Sequence, residues 1–168
     1  MNSHQIRKFT PVRLHAVRSE WNTLAGDDEF EIELAPFFDW CETHIEQHGG
    51  DSHACELHNT LTGACDAIIE LVDSPQAKLS KLLKLFISPK MWDVDDKREQ
   101  VVNLYVNAFI QVIDNGWIKG SKHIKLYGRT SLMLSILHTI HAQWPAASTR
   151  STATFQGRWL TKIGRAHV

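Results

Sequence analysis

The sequence predicts a mixed α/β (α+β) domain in which one central, mostly antiparallel sheet is flanked by helices. Three observations carry that expectation. The 168 residues are 43% hydrophobic and 22% charged, with six Trp and seven Phe to fill a core, values ordinary for a single globular unit. Val101, Leu104, Tyr105, Ala108, Phe109, Val112 and Ile113 keep the three-and-four spacing of one helix face. Shorter runs on either side alternate apolar and polar residues, the period of a half-buried strand.

Taken in order, residues 12–17 alternate as an opening strand, and Ser19 is placed to cap a short helix through Trp21 and Leu24. Pro36 starts a second helix carrying Phe37, Phe38, Trp40, Cys41 and His44, which ends before Gly49. Residues 53–59 and 64–72 flank a short connection with Gly63 near its end and read as a hairpin. Residues 79–87 read as a partly buried strand, with a helix the competing reading over so short a run. The long helix spans 95–115, opened by Asp95 and Asp96 and stopped by Gly116. A strand over 123–127, a helix capped by Thr130 or Ser131 with Pro145 just beyond its end, and a last strand over 153–163 complete the order β-α-α-β-β-β-α-β-α-β. No repeat or long linker divides the chain, so one domain over 1–168 is expected, with 164–168 a tail outside the fold.

Composition excludes several function classes. Eighteen Lys and Arg against nineteen Asp and Glu give a net charge of −1, so no global field draws a polyanion and nucleic-acid binding is not expected. No apolar stretch approaches the roughly 20 residues that span a bilayer, and the polar first ten residues carry no signal-peptide core, so the expected location is the cytoplasm. Three cysteines without a secretion signal are expected to be reduced.

Four patterns bear on chemistry. Cys41, His44, His48, His53, Cys55, His58 and Cys65 all fall between positions 41 and 65. Cys41, His44 and His48 share one helical face as zinc-ligand candidates, but their spacing matches no standard finger, and the alternative is packed cysteines with surface histidines. Arg129 precedes Thr130 and Ser131 where a strand hands over to a helix, an arrangement suited to an anion. Arg158 joins it if the strands are neighbours; otherwise both arginines pair with carboxylates such as Glu70. Glu70, inside an apolar run, is a general-base candidate because burial raises the pKa of a carboxylate, against the common alternative of a salt-bridged strand residue. Trp40, Trp92, Trp117, Trp144 and Trp159 fall at element ends, where they close a core or present a partner surface.

The element order and length resemble the GNAT superfamily of acyl-CoA N-acyltransferases across nearly the whole chain. The resemblance implies acetyl-CoA or another acyl-CoA as donor and a small-molecule or protein amine as acceptor. It implies Glu70 and Tyr105 as catalytic residues, and Phe86, Ile87, Arg98, Arg129, Thr130 and Ser131 as cofactor contacts. A homodimer is among the expected assemblies, and a non-catalytic protein that binds a protein partner through the same architecture is the alternative function. Two departures stand out. The loop at 88–98, where the family carries spaced glycines to cradle a pyrophosphate, has no glycine and holds Asp93, Asp95 and Asp96, offset only in part by Lys90, Lys97 and Arg98. The helix after 123–127, where the family often carries a tyrosine acid, has His138 and His141 but no tyrosine.

Overall fold

The computed structural model describes residues 3–46, 52–147 and 151–164. Seven strands, β1 (His4–Lys8), β2 (Ser52–Asn59), β3 (Cys65–Ser74), β4 (Leu79–Ile87), β5 (His123–Tyr127), β6 (Ser151–Gln156) and β7 (Trp159–Gly164), form one open sheet in the order β1-β2-β3-β4-β5-β7-β6. Every pairing is antiparallel except β4 with β5, which run parallel. The helices α1 (Pro11–Ala25), α2 (Asp27–Glu33) and α3 (Ala35–Glu46) cover one face, while α4 (Val94–Ile118) and α5 (Ser131–Ala147) cover the other.

Strand alternation sorts the two cores. On β3, Ile68 points into the cluster of Trp21, Phe30 and Phe38, whereas Ile69 and Leu71 point into that of Leu104, Phe109 and Leu137. Phe38 and Phe109 are fully buried, and each contributes about 1.5–3 kcal/mol relative to an exposed ring. Trp21 meets Phe38 edge to face, with ring centres 5.7 Å apart.

The hairpin over 53–59 and 64–72, the strand over 79–87 and the strand over 123–127 form as expected, and the helix reading of 79–87 is excluded. The long helix forms too, but Gly116 lies inside it rather than stopping it, and the helix runs on to Ile118 with Lys119 as its cap. Other expectations fail. Residues 12–17 are helical: Thr10 Oγ1 accepts from Arg13 N–H, Pro11 sits in the first turn, and Leu14, Val17 and Trp21 bury one helical face that the short alternation had mimicked. Ser19 therefore lies inside α1 rather than capping a helix. The first strand is instead His4–Lys8, an edge strand with Ile6 as its one apolar residue. The last strand is two strands, because Gly157 at φ 58° turns the chain so that Gln156 pairs with Trp159. An additional helix, α2, precedes α3, and α5 continues past Pro145.

Candidate active site

The site originates where β4 and β5 part. They pair in parallel from Leu79↔His123 to Leu82↔Leu126, but β4 runs on to Ile87 while β5 ends at Tyr127. Among the described residues, 83–87 of β4 thus have no partner strand on that side. A cavity of about 380 Å³ occupies the opening, within the size range of small-molecule sites.

Local sequence shapes the turn that ends β5 and borders the opening. Gly128 lets α5 approach so closely that a Cβ there would lie 2.9 Å from Leu134 Cα, so any side chain would push α5 away. Arg158 braces the same turn: its Nε donates to the Gly128 carbonyl at 2.7 Å and its Nη2 to the Arg129 carbonyl at 2.8 Å. Thr130 Oγ1 then accepts from Met133 N–H at 3.1 Å and caps α5. Arg158 therefore supports the loop through backbone carbonyls, and neither arginine pairs with Glu70 among the described residues.

Phe86 and Ile87 from β4, Tyr105 from α4, and Arg129 and Thr130 from the turn all line the cavity. Tyr105 is buried, and burial raises its hydroxyl pKa further above neutrality than that of a free phenol. The Arg129 guanidinium lies 5.7 Å over the Phe86 ring. Phe86 stacks on Phe37 at 3.9 Å, and Phe37 on Trp40 at 5.5 Å, so an aromatic wall runs from the cleft to α3. Glu33, Leu34, Trp92 and Met133 complete the lining, and Glu33 and Arg129 give it two exposed opposite charges.

Glu70, Arg98 and Ser131 are not in this wall. Glu70 is buried on the face of α3, where Oε1 accepts from Ser52 Oγ at 3.0 Å and the Lys84 ammonium lies 3.1 Å from Oε2. Arg98 and Ser131 are exposed on the first turns of α4 and α5.

The chain between β4 and α4 is held from within. Pro89–Met91 form a 3-10 turn, Lys90 pairs with the buried Asp66 carboxylate, and Lys97 Nζ donates to the Lys90 carbonyl at 2.5 Å. Asp66 also accepts from His4 Nε2 at 2.9 Å and from Asn59 Nδ2 at 2.8 Å. Burial alone would raise its pKa, but the hydrogen bonds from His4, Lys90 and Asn59 outweigh this and hold the carboxyl at about 2. Asp93 caps α4 with its backbone only, and Lys97 departs from helical geometry at φ −119° and ψ 15°.

No group of three or more potential metal ligands occurs among the described residues. Cys41 is fully buried with its thiol pushed up to about 12 by burial, and Cys55 is likewise at about 12. His44 Nδ1 is 2.8 Å from the Trp40 carbonyl, and its ring stacks on that indole. His48 lies outside the described residues. No helix among the described residues is long and apolar enough to cross a membrane.

No family model and no curated protein matches the sequence. Solved structures do match. A probable acetyltransferase of the GNAT family from Chromobacterium violaceum is 12% identical, with 96% of this chain and 86% of that chain covered, at a TM-score of 0.56. The ribosomal-protein-S18-alanine N-acetyltransferase of Escherichia coli is 12% identical over 98% of this chain and 96% of its own, at 0.46. Spermidine N-acetyltransferase from Vibrio cholerae, in complex with CoA and spermine, is 12% identical over 98% and 97%, at 0.44. The fold assignment rests on the first of these, together with the parting of β4 from β5. The chain has the GNAT acyl-CoA N-acyltransferase-like fold.

Proposed function

We propose that the chain binds an acyl thioester in the cleft between β4 and β5 and transfers the acyl group to an amine. The observation that carries this reading is the run 83–87, which among the described residues has no partner strand on the β5 side, beside a cavity of about 380 Å³. Free backbone N–H and C=O groups on a strand edge match an extended, amide-bearing arm of the pantetheine type, by the same hydrogen bonding that adds a strand to a sheet. Phe86, Ile87 and Met133 supply apolar contact for such an arm. The thioester would bring an activated acyl carbon to the cleft.

The residues in the wall divide the remaining work. Tyr105 lines the cleft with a phenol that is protonated at neutral pH, and it is the proton source for a departing thiolate. Glu33 draws a cationic amine to the cleft and accepts its proton. Arg129 and the capped start of α5 hold polar oxygen atoms of the ligands. Glu70, engaged with Ser52 and Lys84, serves the sheet rather than the reaction.

Thermal unfolding with and without a small acyl thioester tests the reading. At 100 times its dissociation constant a ligand adds about 2.7 kcal/mol, which at about 2–4 °C per kcal/mol raises the midpoint by roughly 5–10 °C. The rise should disappear in Tyr105→Ala combined with Arg129→Ala. An unmoved midpoint at millimolar thioester would remove the transferase reading and leave the non-catalytic alternative.

A further inference from the structure

We infer that the thioester this cleft accepts arrives on a pantetheine-type arm that carries no nucleotide diphosphate. The inference rests on the thioester-binding reading above and narrows its substrate class.

A diphosphate placed beside the cleft needs donors and positive charge at the start of α4, because the aligned amides of a helix N-terminus are the usual anion cradle. Four features of this chain work against that. The first is charge: Asp93 and Asp96 are exposed at the helix start and place two carboxylates where two phosphates would lie. The second is the cations. Of three in this stretch, Lys90 is turned inward onto Asp66 and Lys97 onto the Lys90 carbonyl, which leaves the exposed Arg98. The third is the amides, whose alignment is interrupted at Lys97, where φ is −119° and ψ is 15°. The fourth is the loop itself, a 3-10 turn without glycine whose Ser88 N–H is already committed to the Asp66 carbonyl at 2.9 Å. The cleft beyond it has none of these obstacles: its wall is mainly apolar and offers the bare edge of β4. The same protein therefore has a place for the arm and an unfavourable surface for a diphosphate.

The test compares S-acetylpantetheine with acetyl-CoA on the full chain by titration calorimetry at low and high salt, with the part of the intrinsic tryptophan fluorescence lost in Trp92→Phe as a second readout. S-acetylpantetheine should bind at least as tightly as acetyl-CoA at low salt, and added salt should tighten acetyl-CoA by screening the repulsion. The exposed double variant Asp93→Asn with Asp96→Asn should tighten acetyl-CoA by about tenfold, about threefold per neutralised surface charge, and leave S-acetylpantetheine unchanged. Acetyl-CoA binding more than about tenfold tighter, and weakening with salt as counterion-linked binding does, would overturn the inference while leaving the thioester reading intact. Equal affinities that neither salt nor the double variant moves would also overturn it. If neither compound binds wild type or variant, both the inference and the reading on which it rests fall.

Discussion

Replacing Asp66 by asparagine removes a carboxylate that joins β1, the β2–β3 hairpin and the turn before α4. In the native chain it is 2% exposed and receives His4, Asn59 and Lys90. A carboxyl ordinarily near 3.8 and held at about 2 corresponds to about 2 kcal/mol of folding stability. The folded pKa is the lower of the two, so the unfolded chain takes up the proton first. The contribution is fully present above about pH 4 and is lost as pH falls through about 2. At neutral pH the variant should lose about 2–3 kcal/mol, since the Lys90 ammonium, about a third exposed, keeps part of its solvation when the carboxylate is gone. Urea unfolding measured from about pH 7 down to about pH 2 on both proteins is the assay, the variant lacking up to one proton of uptake at the acid end. An identical acid slope in Asp66→Asn and wild type would refute the assigned ionisation of Asp66, whatever the loss at neutral pH.

Three further outcomes follow from named contacts. Tyr105→Phe keeps the ring packed near Phe109 and should lower thioester turnover by about 10²-fold while changing thioester affinity less than about threefold; full turnover would show that the phenol donates no proton. Gly128→Ala places a Cβ 2.9 Å from Leu134 Cα and should cost about 1–3 kcal/mol in urea unfolding, with no loss contradicting the close approach of α5. All three thiols are buried, with Cys41 and Cys55 pushed up to about 12, so Ellman's reagent at neutral pH should react with under about 0.1 equivalent of native protein and with three after urea. Rapid native labelling would mean that these thiols are accessible.

Much of the fold was legible because its signals were long or doubled. Seven apolar residues on one face of α4 leave no other period available, and the β2–β3 and β4–β5 strands are bracketed by turns. Short signals failed. Six alternating residues at 12–17 fit a strand until Thr10, Pro11 and Trp21 are read together as cap, first turn and third buried position. β1 shows one apolar residue and is specified by pairing with β2 rather than by its own pattern. The cleft was half legible. Phe86, Ile87, Arg129 and Thr130 sit where strands end, and topology alone brings strand ends together. Glu33, an acidic residue at a short helix end, carries no such mark and reaches the cleft only through the α2–α3 packing. Counting charges at 88–98 could not tell that Lys90 and Lys97 bind inside the chain, since that depends on Asp66 more than twenty residues away.

The central claim is that the opening between β4 and β5 is a binding site for an acyl thioester arm. Amide chemical shifts recorded while S-acetylpantetheine is titrated into the isotope-labelled chain test it most directly. Saturable shifts should concentrate at Leu85, Phe86 and Ile87 and at Arg129 to Met133. Shifts that leave these residues still while moving others, or no saturable shifts at all, would contradict the assignment of this cleft.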